Sequence, residues 1–563
     1  MHDDQRPHAD IGHIGFCFCG LCGHDFPLWH PECLSSSLIW QKIKPFNQFY
    51  APDGLFLTEL LDLRHVSITM SNDTKTPRKK REYNDPLQIE VSPNAKLVLL
   101  LAAIVAAICG GLYGYDTGII SGTLPLIGDD FHLNSTMKEM VASAILLGAV
   151  CGAFIAGSLS EKYGRRATTC VVSAVFVIGA TSCAFSPNVW TLIVARLVLG
   201  LAVGGSTQVV PMYISELAPQ ERRGSLVTMF NVAIGLGILI ANIIGFTQRE
   251  SWGWRPMVGI AAIPAAIVFI SMFFMPKSPR WSAENEGMRN AIIHLGRIRT
   301  TKRAVRKEVE AIRENALNVE EHNRGWRGLF QPWVRPALVA ALGVAFFTQC
   351  GGLEMMIYYA PTFLNDAGFG ASSALLASLG VAAVYCVMTF LGCMFVDRIG
   401  RRRLMLIMGP GSVLSLLCLG IMFMIHPAPG SAGSYLVVVF LLSFMAFNSG
   451  GIQVCGWLLG AEMFPLSMRG QATSLHAATL WGADLLVTST ALTMAEAIGL
   501  NWTMWFYAGV NLASVVFVFF FVPETSGASL EDIEVALLEK RFRPTRGNTR
   551  IASDDDEDVE EAA

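Results

Sequence analysis

Residues 97–120 read LVLLLAAIVAAICGGLYGYDTGII, and Asp116 is the only formal charge among them. A helix needs roughly 20 predominantly apolar residues to cross the hydrocarbon core of a bilayer, and this run supplies them unbroken. Ala142–Leu159, Val189–Val210 and Ala508–Val522 are nearly as free of charge. The apolar residues are continuous rather than alternating, which favours helices over barrel strands. Those two structures alone satisfy their own backbone inside lipid.

The whole chain agrees with this reading. Its 563 residues are 52% hydrophobic and 15% charged, with a mean hydropathy of +0.45. Soluble domains carry about 25% charged residues; so little charge could not cover a soluble surface. The net charge of -3 offers no basic footprint for nucleic acid. Most of the cysteines lie in apolar blocks, among them Cys109, Cys151 and Cys455, where Cys acts as a small apolar residue.

Twelve spans are expected, at 97–120, 139–159, 168–186, 189–213, 225–247, 256–275, 336–364, 373–396, 404–425, 434–462, 469–495 and 502–522. The polar insert 276–335 parts an N-terminal half, 97–275, from a C-terminal half, 336–522. Its composition predicts solvated helices of mixed charge. Residues 70–96 form a lead-in and 523–563 a tail, whose acidic run Asp554–Glu561 is expected to be disordered. Lys162, Arg165, Arg166, Arg222, Arg223, Arg398 and Arg401–Arg403 fall in loops on one side, together with the Arg- and Lys-rich insert. The positive-inside rule puts that side and both termini in the cytoplasm.

Two motifs recur in order in each half. Glu161-Lys-Tyr-Gly-Arg-Arg166 follows span 2 and Asp397-Arg-Ile-Gly-Arg-Arg402 follows span 8. Glu216-Leu-Ala-Pro-Gln-Glu-Arg-Arg-Gly224 follows span 4 and Glu462-Met-Phe-Pro-Leu-Ser-Met-Arg-Gly470 follows span 10. Paired six-span halves place a substrate site between them, near the midplane.

These motifs give the chain its resemblance to the sugar porter family of the major facilitator superfamily. It is carried by Gly114-Tyr-Asp-Thr-Gly118, Gly164-Arg-Arg166, Arg196, Pro211-Met-Tyr-Ile-Ser-Glu216 and Pro276-Lys-Ser-Pro-Arg-Trp281. Tyr358-Tyr-Ala-Pro361, Asp397–Arg402, Glu462–Gly470 and Pro523-Glu-Thr-Ser-Gly527 continue it, over roughly residues 95–535. The resemblance implies an all-α membrane protein of twelve helices in two pseudo-symmetric halves. It also implies import of a sugar or polyol by alternating access, without cofactor, metal or enzymatic step. A monomer in the plasma membrane is the expected working form.

The same resemblance assigns roles. Asp116 and Arg196 are implied to lie side by side and couple a proton to transport; the rival reading is a structural ion pair. An ionisable residue inside a membrane is costly and so is a functional hypothesis by default. Asn231, Thr348, Gln349, Trp457 and Trp481 are the expected substrate contacts. Amides both donate and accept hydrogen bonds, and tryptophan offers a flat face with one N–H. Tyr385, Glu354 and Asp484 stand where the family has asparagine, Thr348 and Asn231 where it has glutamine, and Lys277 where it has glutamate. The two acids fit a substrate rich in donors or partly cationic, a second proton site, or a simply neutral buried acid. Arg165, Arg166, Glu216, Arg223, Arg401, Arg402, Glu462 and Arg469 are the expected cytoplasmic gate, in which Glu216, Glu462, Arg166 and Arg402 form salt bridges between the halves. His476 reads as a packed polar residue. No Walker loop is evident, so ATP is not implicated. A facilitator without proton coupling and a nutrient sensor of the same fold are the alternatives.

Residues 1–69 do not resemble the family. Cys17, Cys19, Cys22, His24, His30 and Cys33 lack two clean Cys-x-x-Cys knuckles, so no zinc site is expected. The basic stretch after Met70 predicts that translation starts there.

Overall fold

The apolar runs become long helices. The computed structural model describes residues 91–219, 223–318, 325–428, 430–464, 468–528 and 530–543, all within the unit Pro86–Ala563. The cysteine–histidine cluster, the Met70 reading and the acidic run 554–561 lie outside the described residues. No strand occurs among the described residues.

Eleven helices of the described residues are long and apolar enough to cross a membrane. In chain order they are span 1 (Ala95–Asp130), span 2 (Ser135–Tyr163), span 3 (Arg165–Ala184), span 4 (Val189–Leu217), span 5 (Met229–Thr247) and span 6 (Trp254–Met272). The second set is span 7 (Arg335–Asn365), span 8 (Ala371–Ile399), span 9 (Arg401–Ile425), span 10 (Ala432–Gly460) and span 12 (Leu500–Phe521). The eleventh place is taken by Arg469–Thr488, a helix that buries Ser474, His476, Asp484 and Thr488. It is too polar to pass as a span by composition, and it can afford those residues because it packs against spans 2, 4 and 7 rather than facing lipid. The expected continuous span 469–495 is in fact broken: a second helix, Ala491–Ile498, follows Ser489 and Thr490.

Two further boundaries differ. Span 1 runs on to Asp130 rather than ending near 120, because Leu124 and Ile127 extend its buried face past Pro125. Span 7 is two helices, Arg335–Cys350 and Leu353–Asp366, parted at Gly352, whose φ of 87° suits glycine. The Asn511 amide of span 12 donates to the freed Gly351 carbonyl at 2.8 Å.

Within the first half, spans 2 and 4 touch backbone to backbone. A Cβ on Gly148 would fall 2.1 Å from the Leu197 carbonyl oxygen, and one on Gly200 would fall 2.0 Å from that of Ile145. Small residues are how helices gain van der Waals contact where lipid supplies no hydrophobic drive. Among the insert helices, Met288–Ile298 is docked rather than freely solvated. It buries Ala291, Ile292, Leu295 and Ile298, and Arg299 beyond it donates to the carbonyls of Leu217 (2.7 Å) and Ala218 (3.2 Å) at the end of span 4.

Candidate functional site

Span 1, the broken span 7, span 10 and the polar helix Arg469–Thr488 meet at the centre. Three aromatic side chains close on one another there. The Tyr113 ring lies 5.1 Å from Trp481 and 6.1 Å from Trp457, and the two indoles are 6.0 Å apart. The Trp481 indole N–H donates to the Thr207 hydroxyl of span 4 at 3.2 Å, so this cluster bridges the two halves.

Around it stands an unusual set of buried polar groups. Thr348 Oγ1, both amide atoms of Gln349, Glu354 Oε2 and Asp484 Oδ2 are buried without a hydrogen-bond partner in the protein. So are both amide atoms of Gln208 and Gln453, Asn448 Oδ1, and Nε and Nη2 of Arg196. A buried polar group left unpaired costs about 1–3 kcal/mol, and native proteins carry few of them. Their concentration here marks a place shaped for a polar ligand. Asn231 and Tyr385 are buried as well, on spans 5 and 8. Span 10 passes the site as a π-helix, Asn448–Gln453, the kind of irregularity often found at functional sites.

Asp116 and Arg196 are both buried, and Arg196 is the cation whose charge reaches Asp116. No ion pair within 4 Å joins them among the described residues: they are near neighbours rather than bonded partners in this conformation.

The basic end of the bundle is bonded differently from the expectation. Arg165 of span 3 donates from Nε to Glu216 of span 4 at 3.1 Å, with Nη2 at 3.0 Å from the same oxygen. Arg401 of span 9 grips Glu462 with Nε at 3.1 Å and Nη2 at 2.9 Å, and reaches Asp397 at 2.7 Å. Both clusters lie inside one half, so the expectation of salt bridges between the halves is corrected for Glu216 and Glu462. Each arginine follows a glycine turn that aims it along its own half, at the end of the span next to it. Arg166 and Arg402 instead cap helix ends, donating to the carbonyls of Met272 and Phe273 and of Phe519. Arg223 belongs to the helix Arg223–Thr247, and Arg469 opens the polar helix.

The halves are bonded to each other at both ends of one seam, between span 2 and the polar helix with the helix Ala491–Ile498 that follows it. At the basic end the Gln471 amide donates to Glu161 at 2.5 Å. At the other end Glu139 accepts from the Thr493 backbone N–H at 2.8 Å and its hydroxyl at 2.5 Å, and Ser135 donates to Glu496.

The family model described as "Sugar (and other) transporter" matches residues 102–537. The chain belongs to that family. Transport proteins similar to it include the probable metabolite transport protein CsbC of Bacillus subtilis, 39% identical over 78% of this chain and 94% of that protein. The arabinose-proton symporter of Escherichia coli is 34% identical over 78% of this chain and 93% of its own. Among solved structures, the proton:xylose symporter XylE bound to 6-bromo-6-deoxy-D-glucose superposes with a TM-score of 0.67 at 25% identity, covering 79% of this chain and all of that one. The protein is thus a multi-pass membrane transporter of the sugar porter type with the major facilitator fold.

Several residues of this sugar transporter's centre were not singled out from sequence. Gln208 and Gln453 interrupt apolar runs and carried a usable signal, since an amide inside a membrane span is costly. Tyr113, Glu139, Gln471 and Thr493 carried none, because their importance lies in partners hundreds of residues away.

Proposed function

We propose that this protein imports a sugar or polyol together with a proton, by alternating access. The reading rests above all on the concentration of unpartnered buried polar atoms between the halves. Sugar hydroxyls both donate and accept, so they can satisfy Gln349, Thr348, Gln208 and Gln453 at once, while Trp457 and Trp481 meet an apolar sugar face. Tyr113 fills the space between those indoles and would move aside for a ligand.

Asp116 supplies the coupling. Ionised, it attracts Arg196; neutral, it releases it. The separation of the two groups here is the arrangement this scheme assigns to the proton-loaded form. A ligand shifts the balance of states only by binding one better than another, and the seam of Glu161–Gln471 and Glu139–Thr493 bonds is what the two openings would break in turn. The basic loops set the orientation, with both termini cytoplasmic and the protein in the cell membrane as a monomer surrounded by lipid. A xylose transporter and a myo-inositol transporter, each 36% identical to this chain, point to pentoses and cyclic polyols as first candidates.

The test is uptake into proteoliposomes, across a panel of hexoses, pentoses and polyols, with and without an imposed proton gradient. Concentrative uptake that requires the gradient is expected. Uptake that only equilibrates would make the protein a facilitator, and no uptake of any member would leave the sensor reading.

A further inference from the structure

Glu354 and Asp484 form an acid pair at the centre. Glu354 is 1% exposed and Asp484 is fully buried. Glu354 opens the second helix of span 7, Leu353–Asp366, and Asp484 sits on the polar helix that packs against it. Asp484 is the charged group whose field reaches Glu354. One Asp484 oxygen accepts from the Thr488 hydroxyl at 3.0 Å; its other oxygen and Oε2 of Glu354 have no partner.

The groups facing the pair do not neutralise it. Span 1 brings the Tyr113 phenol, span 7 brings Tyr358 and the Cys350 thiol, and span 8 brings Tyr385. The other acids on spans 2 and 10 are held away from the pair, at the ends of the bundle: Glu161 by Gln471, Glu139 by Thr493 and Glu462 by Arg401. Asp116 on span 1 adds a further acid. Arg196 on span 4 is the one fully buried cation on these elements, and it is bonded to neither member of the pair. A second feature points the same way: Gln349, on the first helix of span 7, is fully buried with neither amide atom bonded.

Two carboxylates buried together with no cation cannot both stay ionised. The first turn of the half-helix stabilises a single negative charge on Glu354. The burden is therefore met by one shared proton rather than two. We propose that Glu354 and Asp484 jointly hold a proton and carry it through the transport cycle, a proton site distinct from Asp116. The proton is taken from the solution on one side while the site is open there, and is released to the other side when the opposite seam parts. The proposal rests on the transport reading for its cycle, though not for the presence of the proton.

The experiment uses the full chain reconstituted in lipid and infrared spectroscopy of the carbonyl stretch of protonated carboxyl groups. At neutral pH, Asp116→Asn should retain such a band, and Asp116→Asn combined with Glu354→Gln and Asp484→Asn should lose it. A band unchanged by the added substitutions, or absent from Asp116→Asn, overturns the proposal. Should the triple variant fail to fold, Glu354→Gln alone decides through charge movement with D-xylose, L-arabinose or myo-inositol. The charge moved per sugar should fall by a whole unit, since a lone buried Asp484 keeps its proton. An unchanged ratio overturns the proposal. The infrared result needs no sugar, so failure of the transport reading and failure of this one are told apart.

Discussion

The basic end of the bundle and its centre use the same kinds of side chain to opposite effect. At the basic end, Arg165 meets Glu216, and Arg401 meets Glu462 and Asp397. Ser278 and Thr525 add hydroxyls to Glu216 and Glu462 in matching places. At the centre, Arg196, Gln208, Gln349, Gln453 and the acid pair leave polar atoms unbonded in a drier setting. The first arrangement stabilises one conformation by itself. The second is complete only with something from outside the chain. Substitutions should therefore lower stability at the end, and change binding or coupling at the centre.

The largest effect is expected from Asp116→Asn. It should lower accumulation against a gradient to what the proton of the Glu354–Asp484 pair alone can drive, while leaving exchange of substrate at equilibrium largely intact, because an amide at position 116 cannot cycle a proton. Flux of labelled sugar into and out of proteoliposomes measures both. A variant that accumulates substrate as steeply as the unaltered protein would show that Asp116 carries no coupled proton.

Arg401→Ala should come next, with a loss of stability of about 2–3 kcal/mol, the scale of charge-assisted bonds removed from a largely buried site. Arg165→Ala should cost less, because Arg165 has no counterpart to the Asp397 contact. Unfolding midpoints of the purified variants check the order. Equal losses would show that the two halves hold their ends with equal strength despite the extra carboxylate.

Gln349→Leu should have opposite signs on two readouts. It removes two unpartnered buried polar atoms, so the empty protein should become more stable by about 1 kcal/mol. It also removes a donor and an acceptor for a sugar hydroxyl, so affinity should fall about tenfold, corresponding to a similar energy. Binding isotherms and thermal midpoints on one preparation test both. A drop in stability would mean that Gln349 is bonded in the working protein and belongs with the ends rather than the centre.

How far these regions could be read from sequence follows the same division. The spans were legible because lipid imposes length and apolarity on every helix it touches. The polar helix Arg469–Thr488 was legible through its motif and the family's pattern; hydropathy misses it, since it is wrapped by other spans. The arginines and glutamates at the basic end were legible as identities, from the repeat. Their pairing was not, because a motif names residues and leaves open whether the partner sits across the seam or next door. At the centre, Trp457, Trp481 and Gln349 were found by position in the family, whereas Tyr113 closing over the indoles depends on how span 1 turns against two distant helices. The unpaired state of Asp116 and Arg196 is a property of one conformation, which no sequence encodes alone.

The smallest expected effect concerns Lys277, where the two basic ends differ. After span 12, Glu524 accepts from the backbone N–H of Arg401 at 2.8 Å and of Arg403 at 3.3 Å, capping the first turn of span 9 behind Gly400. After span 6 the matching residue is Lys277, and the first turn of span 3 behind Gly164 has no side-chain cap from its own N-cap residue. Lys277 pairs instead with Glu286 at 2.6 Å and lies 6.0 Å from the Trp281 ring. Lys277→Glu should place a carboxylate against the N–H groups opening span 3. A cap of this kind contributes about 0.5–2 kcal/mol. Against it stand the lost pair with Glu286, an exposed one contributing about 0–1 kcal/mol, and repulsion from Glu286 and Glu216. The net should be a stabilisation of about 0.5 kcal/mol, the remainder of those terms. Lys277→Ala loses the pair without gaining the cap, so the difference between the two variants in unfolding midpoint isolates the cap. If Lys277→Glu unfolds below Lys277→Ala, the carboxylate does not reach span 3, and the two ends are alike in sequence pattern but not in the way they hold their helices.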